Sequence, residues 1–157
     1  MRVHLGGDHA AYEVQRGLVA FLTEAGHDVV DHGPRDYDDL DDYPVFVLRA
    51  AKAVAADAGS RGIVLGGSGN GELIAANKVH GIRAAFANTV ELAQLARLHN
   101  DAQVIAIGGR FTDLKLAKEI ATAFLATDFS EEERHVKRIA MISAFEDQGT
   151  LPPVPKR

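Results

Sequence analysis

Short apolar runs alternate along this chain with longer segments of helical period, and no other feature constrains the fold as much. Residues 3–5, 29–30, 63–65, 84–86 and 104–107 are short, apolar runs, several of them rich in branched side chains, so they read as strands. Between them, Val14, Leu18, Phe21, Leu22 and Ala25 form one apolar stripe of a helix that Gly26 can end. Leu114, Ala117, Ile120, Ala121 and Phe124 form another. Pro44 suits a first helical turn. Asn88 with Glu91, and Ser130 with Glu133, have the spacing at which a cap and a third-position acid satisfy free amides, so a last helix is expected over 130–148. Strict alternation of strand and helix implies right-handed crossovers and a parallel sheet covered on both faces. The prediction is a doubly wound α/β three-layer sandwich with a five-stranded parallel sheet and a C-terminal helix. It forms one domain over residues 1–150, followed by an extended tail over 151–157 containing Pro152, Pro153 and Pro155.

A chain of 157 residues can bury one core without staples, and it has no cysteine. Disulfides, thiolate-bound metals and thiolate nucleophiles are therefore excluded. With 17 Lys and Arg against 22 acids, the net charge of −5 argues against a nucleic-acid or anionic-membrane surface. No apolar run approaches a membrane span and the first residues lack a signal-peptide layout, so the expected location is the cytoplasm.

Parallel sheets bind ligands beyond the carboxyl ends of their strands. Gly6-Gly7-Asp8-His9 follows the first strand, Gly66-Gly67-Ser68-Gly69-Asn70-Gly71-Glu72 the third, and Gly108-Gly109-Arg110 the fifth. The central loop lets backbone amides approach an anion. Glu72 stands where a Walker loop needs lysine and a dinucleotide loop needs glycine or alanine, which argues against ATP and NAD. Glu72 opens a helix among Leu73, Ile74, Ala75 and Ala76, an apolar setting that suits a general base. An isolated glutamate there would be an ordinary first-turn acid; the adjoining glycine loop favours the base. Ser68 can donate to a substrate oxygen or cap the turn.

Asp8 and His9 lie beyond the first strand, while His99 and Asn100 end the helix before the fifth, a placement read as letting both pairs reach one rim. For His99, a plain helix-terminal cation is an equal reading. Arg134 and Arg138 share a helix face beside His135, which fits a phosphate clamp or a solvated basic stretch balancing 131–133. Arg110 adds to the anion reading. The acidic stretch 36–42 lacks the glycine and terminal acid of a calcium loop and reads as solvated. No HExxH or other metal-ligand spacing occurs, so a metal-free mechanism is favoured.

Together, Gly6-Gly7-Asp8-His9-Ala10-Ala11, Asp42-Tyr43-Pro44, Gly66 to Glu72 with Ala75-Ala76-Asn77-Lys78, His99-Asn100, Gly108-Gly109-Arg110 and Arg134-His135 with Arg138 resemble the type B ribose-5-phosphate isomerase family. The resemblance spans almost the whole chain. It implies a Rossmann-like, cofactor-independent aldose–ketose isomerase, a homodimer or homotetramer whose sites draw on two subunits. It further implies that Asp8 and His9 line the sugar site, with Tyr43 at its edge. His99, with Asn100 nearby, would assist ring opening. Glu72 would move the proton between C1 and C2. Amides of Gly67, Gly69, Asn70 and Gly71, with Ser68, would stabilise the enediolate. Arg110, Arg134 and Arg138, with His135, would hold the phosphate. One branch of that family uses a cysteine base where this chain has Gly66, so the resemblance is to the glutamate branch. Relatives acting on a four-carbon 4-phosphate or a six-carbon 6-phosphate, and a non-catalytic sugar-phosphate sensor, are the alternatives.

Overall fold

The computed structural model describes residues 1–155. Each strand forms around its apolar run, and all but the fourth are lengthened by flanking residues that join the ladder. They are β1 Arg2–Gly7, β2 Asp28–Asp31, β3 Arg61–Gly66, β4 Ala84–Phe86 and β5 Val104–Gly108. Their order is β2-β1-β3-β5-β4, and every neighbouring pair is parallel. Helices α1 Tyr12–Glu24, α2 Tyr43–Ala56, α3 Asn70–Ala76, α4 Val90–Asn100 and α5 Leu114–Ala126 connect them, and α6 Glu133–Gln148 follows. From β1 the chain steps out to β2, crosses back to β3, then runs to the edge strand β4 and returns to β5 between β3 and β4; the change of direction between β1 and β3 leaves a crevice at the carboxyl ends of these two strands.

The two sheet faces are built differently. Val3, Leu5, Ile63, Leu65, Ile105 and Ile107 alternate onto one face and bury against Leu18 and Leu22 of α1, Ala93 and Ala96 of α4, and Ile120 and Phe124 of α5. Each such Leu or Ile contributes about 1.5–3 kcal/mol. The opposite face uses smaller residues. A Cβ on Gly6 would stand 2.7 Å from the carbonyl oxygen of Phe46, and one on Gly62 would stand 3.0 Å from the side chains of Val54 and Val104. Glycine at these positions lets α2 pack close, with Val47, Ala50, Ala51 and Val54 buried.

Three helix starts differ from expectation. α3 begins at Asn70 rather than at Glu72, with Gly69 as its cap residue. The cap of α4 is Thr89 rather than Asn88, its side-chain oxygen accepting from Leu92 N at 3.1 Å. The last helix begins at Glu133, because the Ser130 hydroxyl instead accepts from Glu132 N at 3.4 Å in a turn that precedes it. Of the expected tail, residues 151–155 are exposed and lack regular structure, whereas Lys156 and Arg157 lie outside the described residues. Among the described residues no helix is long and apolar enough to cross a membrane.

Candidate active site

Three glycine loops meet at the crevice and are tied together by their own backbone. Asp8 N donates to Leu65 O at 3.2 Å, Gly109 N to Gly66 O at 2.7 Å, and Arg110 N to Gly67 O at 3.1 Å. Glycine is required sterically here: a Cβ on Gly108 would meet the Ser68 carbonyl oxygen at 2.6 Å, and one on Gly109 the Ala11 Cβ at 2.7 Å. Gly69, at φ 83°, turns the chain into α3, and Ser68 Oγ accepts from Asn70 N at 3.3 Å. The Arg110 guanidinium lies over Gly67, 3.4 Å from where a Cβ would be, and the Tyr43 ring covers Gly71.

Glu72 sits inside this arrangement, 3% exposed. Its carboxylate occupies the volume that a side chain on Gly66 would need, since even its farther oxygen lies 2.8 Å from a Cβ built there. A base carried on residue 66 and a base carried on residue 72 therefore exclude each other in space. Burial pushes the Glu72 carboxyl above the ordinary glutamate value and the charge of Asp8 adds to this, while backbone amides of Glu72 and Gly69 oppose it. Asp8 is also buried and raised by desolvation, although its Oδ1 accepts from Ala10 N at 3.0 Å and so starts the short 3-10 turn His9–Ala11.

His9 is held by a residue that the sequence assigned to a solvated loop. Asp41 Oδ1 accepts from His9 N at 3.0 Å and lies 2.7 Å from His9 Nδ1. This hydrogen bond raises the His9 pKa above its usual value. Asp8, His9 and Asp41 bring donor atoms within 4.8 Å of one another, a spacing open to a metal ion. The His9 and Asp41 atoms, however, are already at hydrogen-bond distance, and a cation between them would have to push them apart.

The other expected residues form a second group. Because β4 and β5 are parallel, the helix between them runs back, and α4 ends at the amino-terminal edge of the sheet, opposite Glu72. Asn100 O accepts from Arg83 Nε at 2.8 Å just before β4 begins. His99 and Asn100 thus do not share the rim of Asp8 and His9 within one chain, contrary to the sequence reading. α6 starts beside them, with Ser130 N donating to Leu98 O at 3.3 Å. The rings of His99 and His135 stack with centroids 4.3 Å apart. Burial, followed by the neighbouring charges of His99 and Arg134, lowers the His135 pKa against the opposing charge of Glu132, and its buried Nε2 has no hydrogen-bond partner, with Glu132 Oε2 3.9 Å away. Arg134 and Arg138 are exposed, and Arg134 Nε donates to Glu132 Oε2 at 2.8 Å.

A family profile described as Ribose/Galactose Isomerase matches residues 3–142. The chain belongs to this family. It is 52% identical over 155 residues to the ribose-5-phosphate isomerase B of Mycobacterium leprae, covering 99% of this chain and 96% of that protein. The solved ribose-5-phosphate isomerase B of Clostridium thermocellum superposes with a TM-score of 0.90 at 39% identity, over 96% of this chain and 100% of that one. The Mycoplasma genitalium ribose-5-phosphate isomerase B, solved with ribulose 5-phosphate bound, gives 0.89 at 32% identity over 94% of this chain and 97% of that one. This family member has the expected α/β sandwich.

Proposed function

We propose that this chain is a cofactor-independent aldose–ketose isomerase that interconverts ribose 5-phosphate and ribulose 5-phosphate by proton transfer through an enediolate. The observation that carries the mechanism is the buried Glu72 carboxylate beneath the glycine loop. A carboxyl raised by desolvation is basic enough to take the C2 proton of the open-chain aldose and return it at C1. Amides of Gly67, Gly69, Asn70 and Gly71, with the Ser68 hydroxyl, donate to the oxygen on which charge develops. Asp8, His9 and Tyr43 line the sugar, and Arg110 faces its anionic end. The near-complete coverage of the relatives named above supports this substrate.

The remaining roles need a second copy. His99 for ring opening, Asn100 beside it, and Arg134, His135 and Arg138 for the phosphate lie at the opposite sheet edge of their own chain, so they would serve the Glu72 of a partner. Val136, Ile142 and Phe145 on α6 are exposed, 48%, 56% and 54% respectively, and supply apolar surface for the contact. The reading is therefore a homodimer with two shared sites, able to pair into a homotetramer. A phosphorylated sugar does not cross membranes unaided, which supports the cytoplasm as the place of action.

The test is a coupled assay on purified protein with ribose 5-phosphate, erythrose 4-phosphate and allose 6-phosphate at equal concentration. Preference for ribose 5-phosphate is expected. Preference for either other sugar would keep the proton transfer and change the substrate, and silence on all three would favour a sensor.

A further inference from the structure

The acidic segment before α2 contains a residue with no place in the reaction as described. Asp41 follows a turn in which Asp38 Oδ1 accepts from Leu40 N at 3.0 Å and Asp38 O accepts from Asp41 N at 3.2 Å. That turn drives the Asp41 side chain inward. It is only 8% exposed, amid neighbours in the same segment that are mostly at the surface. One oxygen receives both N–H groups of His9, and the other is buried without a hydrogen-bond partner. A buried carboxylate in that state is costly unless a cation answers it. His9 is the group in reach.

We propose that Asp41 is the positioning residue of the sugar-phosphate site, holding the His9 imidazole protonated at Nδ1 and turned so that Nε2 faces the substrate. The inference rests on the isomerase reading and deepens it, since it concerns how the same site meets an anionic sugar. Anchoring the loop alone would need just the bond from His9 N, and the ring bond is the additional element. With Nδ1–H committed to Asp41, Nε2 is the ring nitrogen left for substrate, and the ring remains 27% exposed. The groups around His9 act in one direction: Asp41 and Asp8 both favour its charged form, and burial opposes them. The Tyr37 ring meets it edge-on at 6.4 Å, and Arg110 from the β5 loop acts on Asp8 rather than on His9 directly. An imidazolium Nε2–H on the loop after β1 is a donor suited to phosphate or to a sugar oxygen carrying partial charge.

Asp41→Asn tests this, because the amide oxygen can still accept both N–H bonds while the charge is gone. The His9 ring is followed by nitrogen-detected NMR titration, which does not depend on turnover, and kcat and KM for ribose 5-phosphate are measured across pH. The expected result is a lower His9 pKa, a KM raised about tenfold or more with a smaller change in kcat, and an upper limb of kcat/KM moved to lower pH. In a His9→Gln background the same substitution should change KM no further. An unaltered His9 titration, an unaltered pH profile in a folded variant, or additive effects in the double variant would each overturn the proposal. A wild-type protein inactive on ribose 5-phosphate would instead remove the isomerase reading, and the His9 titration would still decide the role of Asp41.

Discussion

Substituting Gly66 by alanine perturbs the proposed base through a single methyl group. Gly66 has no left-handed backbone requirement, so the main chain tolerates alanine, but its Cβ would enter the space now filled by the Glu72 carboxylate. Ordinary contact begins near 3.4 Å, and the farther carboxylate oxygen stands at 2.8 Å from that Cβ with the nearer one closer still. The carboxylate must retreat by about 1 Å or more, and a displacement of that size at a reacting group costs about 100-fold in rate. The Glu72 side chain gives way at its flexible end, so stability should change by no more than about 1–3 kcal/mol, as for other overpacked sites. The assay is steady-state isomerisation of ribose 5-phosphate beside thermal unfolding by circular dichroism. A large fall in kcat with a modest change in KM and a folded protein is expected. A folded Gly66→Ala variant with kcat within about threefold of wild type would refute the geometry on which the base assignment rests.

Further expectations concern stability and assembly. Because the folded pKa of Glu72 is raised, the folded state holds its proton longer than the unfolded chain. Stability is therefore lost as pH rises from the ordinary carboxyl value, about 4.3, through the folded one, by about 1.4 kcal/mol for every tenfold difference in proton affinity between the two states. Glu72→Gln should then melt higher than wild type at pH 7.5, and an equal or lower melting temperature would contradict the desolvation. His4 and His32, with ring nitrogens 3.0 Å apart, are both lowered by burial, so stability is full above about pH 6.5 and falls as pH drops through their folded values. Replacing both by asparagine should flatten that part of the pH–stability curve measured by urea unfolding. Phe124→Ala, at a fully buried position, should cost about 3–5 kcal/mol in the same assay. Light scattering coupled to an activity assay should find turnover only in dimeric or larger species, and an active monomer would remove the shared site.

The period of the apolar residues made the sheet and the α1 and α5 stripes legible, because burial on two faces leaves a regular imprint on sequence. Gln15 broke that imprint: it is fully buried within the α1 stripe, where its amide donates to Gly33 O at 2.8 Å, a compensation visible only in three dimensions. The glycine loops were equally legible, since close backbone approach admits no substitute. Asp41 was not. Within a run of aspartates, composition points to solvent, and only the fold of the loop distinguishes the one carboxylate turned inward onto His9. The placement of His99 followed a different error. A helix that precedes a parallel strand ends at that strand's amino edge, so topology already separated His99 from Asp8 and His9 within one chain, although its place at the end of the helix before the fifth strand suggested one rim.

Whether Glu72 transfers the proton is decided by the turnover of ribose 5-phosphate by Glu72→Gln, with substrate binding measured on the same sample by calorimetry. Binding should remain measurable while turnover falls by about 1,000-fold, as for loss of a group on which the chemical step depends. Turnover at the wild-type rate in a folded, substrate-binding Glu72→Gln protein would contradict it.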